Sequence, residues 1–143
     1  MDVSDLRKRI LRALDEGRKD ALSRRSSVDA ARGDFATFLE NIAVPMLRQA
    51  VDVLRSERLL FSVHTPADSA RLAADQSPDT YLEFVLNVAA PQPQVVGRVS
   101  VARGRQGVIV EERELSASKA IAELDDDDVA KFLVSEVSKL VLK

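Results

Sequence analysis

Apolar residues recur every three or four positions through the first 57 residues, and no other feature restricts the fold of this chain as strongly. On a wheel of 100° per residue, Val3, Leu6, Ile10, Leu14, Ala21, Val28, Ala31, Phe35, Phe38, Leu39, Ile42, Met46 and Val53 share one face, as an amphipathic helix requires. The stripe nearly fits a heptad seam, stepping by three or four through Val3, Arg7, Ile10, Leu14, Gly17, Ala21, Arg24, Val28, Ala31, Phe35, Phe38 and Ile42. Its ends are large and its middle is small or charged, with Gly17, Ala21 and Arg24 where a strong zipper places leucine.

Unbroken, such a helix measures about 80 Å at 1.5 Å per residue, so a large part of it projects from a compact domain and needs a partner. The alternative is a break near Arg24-Arg25-Ser26-Ser27, where Ser26 can cap a second helix with Asp29 three residues on. A break or weak point at residues 24–28 is the favoured expectation. Pro45 removes a backbone donor inside the apolar pattern Asn41-Ile42-Ala43-Val44-Pro45-Met46-Leu47, which predicts a kink. The stripe resumes in phase beyond it, so the helix bends there and does not end.

From Arg58 the period changes to two. Leu59, Phe61 and Val63 alternate with Leu60, Ser62 and His64, and a Thr65-Pro66-Ala67-Asp68 turn leads to a short Arg71-Leu72-Ala73 segment. Leu82, Phe84, Leu86 and Val88 then face one way and Tyr81, Glu83, Val85 and Asn87 the other. After Pro91-Gln92-Pro93, Val95, Gly97, Val99 and Val101 continue the buried face, Arg103–Gly107 forms a glycine-bearing hairpin loop, and Val108–Leu115 closes the meander. Half-apolar alternation with short turns describes a sheet with one covered face. Val129, Phe132, Leu133, Val137, Leu140 and Val141 then return to helical spacing, with Ser116–Glu123 as an ambiguous connector.

The fold class that follows is α+β: a long, kinked or broken N-terminal helix, a four- to five-stranded antiparallel meander, and a C-terminal helix packed on one sheet face. Residues 1–30 form a helical arm. Residues 31–143 form the globular domain, with helix at 31–57, sheet at 58–116 and a C-terminal helix at 125–142.

A chain of 143 residues is one domain's worth of protein. With no cysteine and one histidine, it has no disulfide framework, thiolate metal site or cysteine nucleophile. No apolar run approaches the roughly 20 residues of a membrane span, and the N-terminus lacks the apolar core of a signal peptide, so the expected location is the cytoplasm. The net charge of −2 is unevenly spread. Residues 7–32 carry nine bases against four acids, whereas residues 59–143 carry nine bases against thirteen acids. A positive arm on an acidic body can meet a polyanion or an acidic partner patch, although a solvated helix of mixed charge has the same composition.

Chemistry-bearing motifs are sparse. Asp125–Asp128 offers four carboxylates to a hard cation, but the run opens a helix, where anions meet unsatisfied donors and the positive end of the dipole; capping accounts for it without a metal. His64 beside Ser62 and near Asp68 lacks the nucleophile elbow of a hydrolytic triad. No dinucleotide fingerprint, phosphate-cradling loop or HExxH occurs. The outward sheet face is assigned Ser62, His64, Tyr81, Glu83, Val85, Arg98, Ser100, Ile109, Glu111 and Arg113, of which Tyr81, Val85 and Ile109 are more apolar than solvation requires. With a single aromatic on that face, stacking of single-stranded nucleic acid finds little support.

The leading expectation is a non-enzymatic, self-associating adaptor or accessory protein with no cofactor, a homodimer or larger, that binds another protein. Val3, Ile10, Leu14, Ala21 and Val28 are its self-contact, and Tyr81, Val85, Arg98, Ile109 and Arg113 its partner surface. The first alternative is a nucleic-acid-associated protein using Arg7, Lys8, Arg12, Arg18, Lys19 and Arg25. The second is a carboxylate-metal hydrolase built on Asp125–Asp128.

Overall fold

The computed structural model describes residues 1–89 and 91–141. Its first element is an uninterrupted helix α1, Val3–Phe38, capped by the Asp2 carboxylate, which accepts the Ser4 N–H. The expected break at residues 24–28 is absent: Ser26 and Ser27 lie inside the helix and cap nothing. The reason is energetic. Serine and arginine in a helix interior cost only a few tenths of a kcal/mol relative to alanine, less than the unfavourable nucleation of a second helix.

A π-helical turn at Leu39–Ala43 connects α1 to α2, Val44–Ser56. This is the bend expected at Pro45. Proline has no N–H for the carbonyl four residues back and its ring crowds that carbonyl, and the widened turn absorbs the mismatch, with the Val44 N–H donating to the Leu39 carbonyl. Helix α2 ends where Arg58 enters the left-handed region (φ 63°) and the Leu59 N–H donates back to the Leu54 carbonyl at 2.8 Å.

Five strands follow: β1 Phe61–His64, β2 Ala70–Ala74, β3 Ser77–Asn87, β4 Gln94–Ala102 and β5 Val108–Glu114. They form one antiparallel meander in the order β1-β2-β3-β4-β5. Helix α3, Asp126–Val141, closes the fold; Leu142, the expected helix end, lies outside the described residues. Val88, expected on the buried face, lies just past β3 and is exposed. The connector before α3 contains a short 3₁₀ turn, Ile121–Glu123, that buries Ile121 and then Leu124.

All three helices lie on the sheet face formed by Leu72, Leu82, Phe84, Val95 and Val99, which are buried. The core is threaded by aromatic rings. Phe35 and Phe38 of α1 stack at 6.1 Å between centroids, Phe38 meets Phe84 of β3 edge-on at 6.1 Å, and Phe84 meets Phe132 of α3 at 5.5 Å. Gly97 of β4 makes room for this row: a Cβ there would overlap the Phe132 ring. Gly97→Ala therefore destabilises the protein by about 1–3 kcal/mol through overpacking. In urea denaturation the Gly97→Ala/Phe132→Leu double variant loses less than the sum of the two single variants, because they share one contact.

Candidate functional site: a projecting helix and an open sheet edge

Helix α1 divides at Val28. Ala31, Phe35 and Phe38 are buried against the body, Val28 is half-buried, and every residue from 1 to 27 is exposed. At 1.5 Å per residue the free segment reaches about 40 Å beyond the body. It carries its apolar stripe into solvent: Val3, Leu6, Ile10, Leu11, Leu14 and Leu22 are exposed, with Ile10 and Leu14 each at 50%. Four of the five expected self-contact residues, Val3, Ile10, Leu14 and Ala21, thus lie on an uncovered surface, while Val28 sits where the arm joins the body. Leu11 and Leu22 fall off the main stripe, so the seam alone did not single them out.

The basic residues of the arm do not form one stripe. On the wheel Arg7, Arg18 and Arg25 flank the apolar seam, whereas Lys8, Arg12 and Lys19 lie on the opposite side. There Lys19 pairs with Asp15 at 3.3 Å, both exposed, a contact worth a few tenths of a kcal/mol.

The sheet face away from the helices carries a ladder of ion pairs. The Glu83 carboxylate is buried at the centre of the sheet, 3.0 Å from the Arg71 Nε and 3.4 Å from Arg98, and Arg98 also holds Glu112 at 2.7 Å. The Ser69 hydroxyl donates to Glu83 at 3.0 Å, and the Arg71 guanidinium lies 4.0 Å above the Tyr81 ring. The hydrogen bond to Glu112, reinforced by both glutamate charges and opposed by partial burial, raises the Arg98 pKa above its ordinary value. Tyr81, Val85 and Arg98 are on this face as expected, but the Tyr81 ring is partly covered and the Arg98 charge is already compensated.

Ile109, Glu111 and Arg113 are not on this face. Ala102 pairs with Val108, Val101 with Ile109, Val99 with Glu111 and Gly97 with Arg113, so these three side chains share the helix-bearing face with Val99 and Val101. A one-residue error in register turns a whole strand over, and the five-residue loop Arg103–Gly107, with Gly104 and Gly107 both at positive φ, decides it. Arg113 lies over the Phe132 ring at 4.6 Å and hydrogen-bonds Glu136 and Ser135, and Glu111 pairs with Lys139 at 3.1 Å. They fasten β5 to α3. The outward residues of β5 are Val108, Val110, Glu112 and Glu114, and the two valines are exposed along an edge strand whose outer side pairs with no described strand.

The aspartate run serves as a cap. The Asp128 N–H donates to Asp125 at 3.1 Å, the Asp125 N–H donates to Asp128 at 3.0 Å, and Lys119 reaches Asp128 at 2.9 Å and Asp125 at 3.5 Å. The Asp128 N–H bond, helped by Lys119, lowers the Asp125 pKa. Asp127 pairs with Lys131 at 3.0 Å, and among the described residues no cluster of three or more carboxylate or imidazole side chains has metal-binding geometry. His64 is exposed and pairs across strands with Arg71, while the Ser62 hydroxyl donates to Asp75 at 2.6 Å, so the two do not form a relay. An open cleft of about 760 Å³ between the π-turn and the β1–β2 loop is lined by Phe35, Leu39, Val44, Pro66 and Val88 together with Arg32, Arg48 and Asp68. No helix among the described residues is long and apolar enough to cross a membrane.

No family model, curated protein or solved structure matches this chain.

Glu136 gives the body a titratable lock. Burial pushes its pKa up, but Lys139 at 2.8 Å and Arg113 at 3.1 Å outweigh that and hold it below the usual glutamate value. A depressed carboxylate pKa adds stability that is complete above the unfolded value, about 4.3, and is lost as pH falls through the folded value. Melting temperatures recorded from pH 6 down to pH 2.5 therefore drop less steeply for Glu136→Gln than for the parent chain.

Proposed function

We propose that this chain is a non-enzymatic, self-associating adaptor: the N-terminal arm joins copies of the protein, and the body presents its sheet edge to a second protein. The observation that carries this reading is the uncovered apolar stripe on residues 1–27, a helical segment about 40 Å long whose every residue is exposed. Isolated helices of this kind gain most of their stability from packing an apolar face, and another copy of the same stripe is the simplest surface of matching shape. Symmetric pairing is also the commonest form of protein assembly. On the body, Val108, Ile109 and Val110 put exposed apolar side chains on an edge strand, a geometry that suits addition of an extended partner segment.

Light scattering of the full chain at tens of micromolar gives a dimer or larger species. Ile10→Asp/Leu14→Asp shifts it to monomer, while the urea transition of the body keeps its midpoint. A parent chain that stays monomeric at that concentration refutes self-association.

A nucleic-acid-associated protein is the second reading, favoured by the nine basic residues between Arg7 and Arg32. It requires oligonucleotide binding that weakens steeply with salt and is lost in a variant with Arg7, Lys8, Arg12, Arg18, Lys19 and Arg25 changed to glutamine. The scattered placement of these residues around the helix favours the adaptor, and we expect no retention of a 20-mer duplex at 50 mM salt.

A further inference from the structure

The arm's seam and the body's anchor occupy the same side of one helix. Ala31, Phe35 and Phe38, buried against the sheet, continue the three-and-four spacing of Val3, Ile10, Leu14, Gly17 and Ala21. On a wheel of 100° per residue the two sets centre about 65° from each other. A partner helix that packs on the arm therefore approaches from the side where the body sits.

That constraint discriminates between orientations. In a parallel, in-register pair the helices lie about 8–10 Å apart, and both bodies claim the same space between them at one end. Symmetry would also set Arg7 against the partner's Arg7 and Arg24 against the partner's Arg24, like charges facing each other along the seam. An antiparallel pair puts the bodies at opposite ends. Its overlap is limited by the body, because the chain around Gln92–Gln94 and Ala117–Ile121 flanks the helix from Ser27 to Asp34.

Two antiparallel registers bring the seams together, and only the second stops short of the body. One brings Leu14 to the partner's Gly17, Val3 to the partner's Val28 and Arg7 to the partner's Arg24, which leaves a gap and restores a like-charge contact. The other brings Leu14 to the partner's Ile10, Val3 to the partner's Ala21 and Arg7 to the partner's Gly17, with Leu11 beside the partner's Leu11 across the two-fold axis. Val3, Ile10 and Leu14 then each meet an apolar residue of the partner's seam. Nothing in the chain lies within 4 Å of a Cβ built at Gly17, so the stem of the partner's Arg7 has room there. Overlap covers about 23 residues, roughly 35 Å, and ends short of the body.

We infer that the exposed arm binds a second copy of this chain antiparallel, Leu14 on the partner's Ile10, with the two bodies at opposite ends of the paired helices. The inference rests on the self-association reading above and adds its geometry.

The chain contains no cysteine, so single nitroxide labels at the exposed positions Ser4→Cys and Ser26→Cys report the pairing directly by pulsed dipolar spectroscopy. The inferred register separates the two Ser26 labels by about 42 Å along the axis and the two Ser4 labels by about 24 Å. Nearly equal separations of about 32–35 Å overturn the register in favour of the other antiparallel one. Short separations of about 10–20 Å at both sites mean parallel helices and overturn the orientation, leaving self-association standing. Light scattering on the same labelled samples separates these from failure of the underlying reading: a monomer removes both, and a dimer that persists in Ile10→Asp/Leu14→Asp places the contact elsewhere and removes the inference.

Discussion

The row of rings from Phe35 and Phe38 through Phe84 to Phe132 decides where the long helix meets the sheet. Aromatic side chains bury more area than any others available to this chain, and their edge-on and tilted contacts add to that burial. Once Phe35 and Phe38 are seated, the half of the helix from Ala31 to Leu54 belongs to the core and the half before Val28 lies outside it. Gly97 is part of the same device, since only a residue without a side chain lets Phe132 approach the sheet. The projecting arm is thus a consequence of core packing at its far end.

Around that row, charged side chains are paired with one another in three clusters. Arg71, Glu83, Arg98 and Glu112 bridge four strands on the open face, and Arg113, Glu136, Lys139 and Glu111 bind the last strand to α3. Asp125, Asp128 and Lys119 cap the same helix. Groups held this way are oriented by their neighbours and have little free capacity for a ligand. Outside those clusters, the apolar stripe of the arm and the valines of β5 are exposed. Exposed apolar surface of that kind is what the proposed protein contact rests on.

Much of the architecture was legible residue by residue. The change from a period of 3.6 to a period of 2 at Arg58, the turn chemistry of Thr65–Asp68 and Arg103–Gly107, and the return to helix after Asp125 each reflect a local rule and appear in the fold. The bend at Pro45 was legible for the same reason, but the expected phase of the stripe beyond it was not kept: the extra residue of the π-turn rotates the helix face, so Leu47, Val51 and Leu54 are buried in α2 while Val53 is 64% exposed. Two further expectations, a helix break and the facing of β5, failed where local information is weak. Ser26 and Asp29 resemble a helix start, but helix propensity differs too little there to decide between a cap and a continued helix. Alternation in Val108–Leu115 is nearly symmetric between its two faces, with Ile109 on one side and Val108 and Val110 on the other. Nothing short of the strand register could orient it.

By itself, the sequence determined the kind and order of elements and the existence of an apolar stripe longer than one small domain can cover, because those follow from side-chain periodicity and turn chemistry that act within a few residues. Only the tertiary structure decided which part of the stripe is covered, that the helix runs unbroken from Val3 to Phe38, and that Arg113 and Glu111 face α3. Those outcomes depend on contacts between residues far apart in the chain, such as Phe38 with Phe84 and Gly97 with Phe132, whose energies no local pattern encodes.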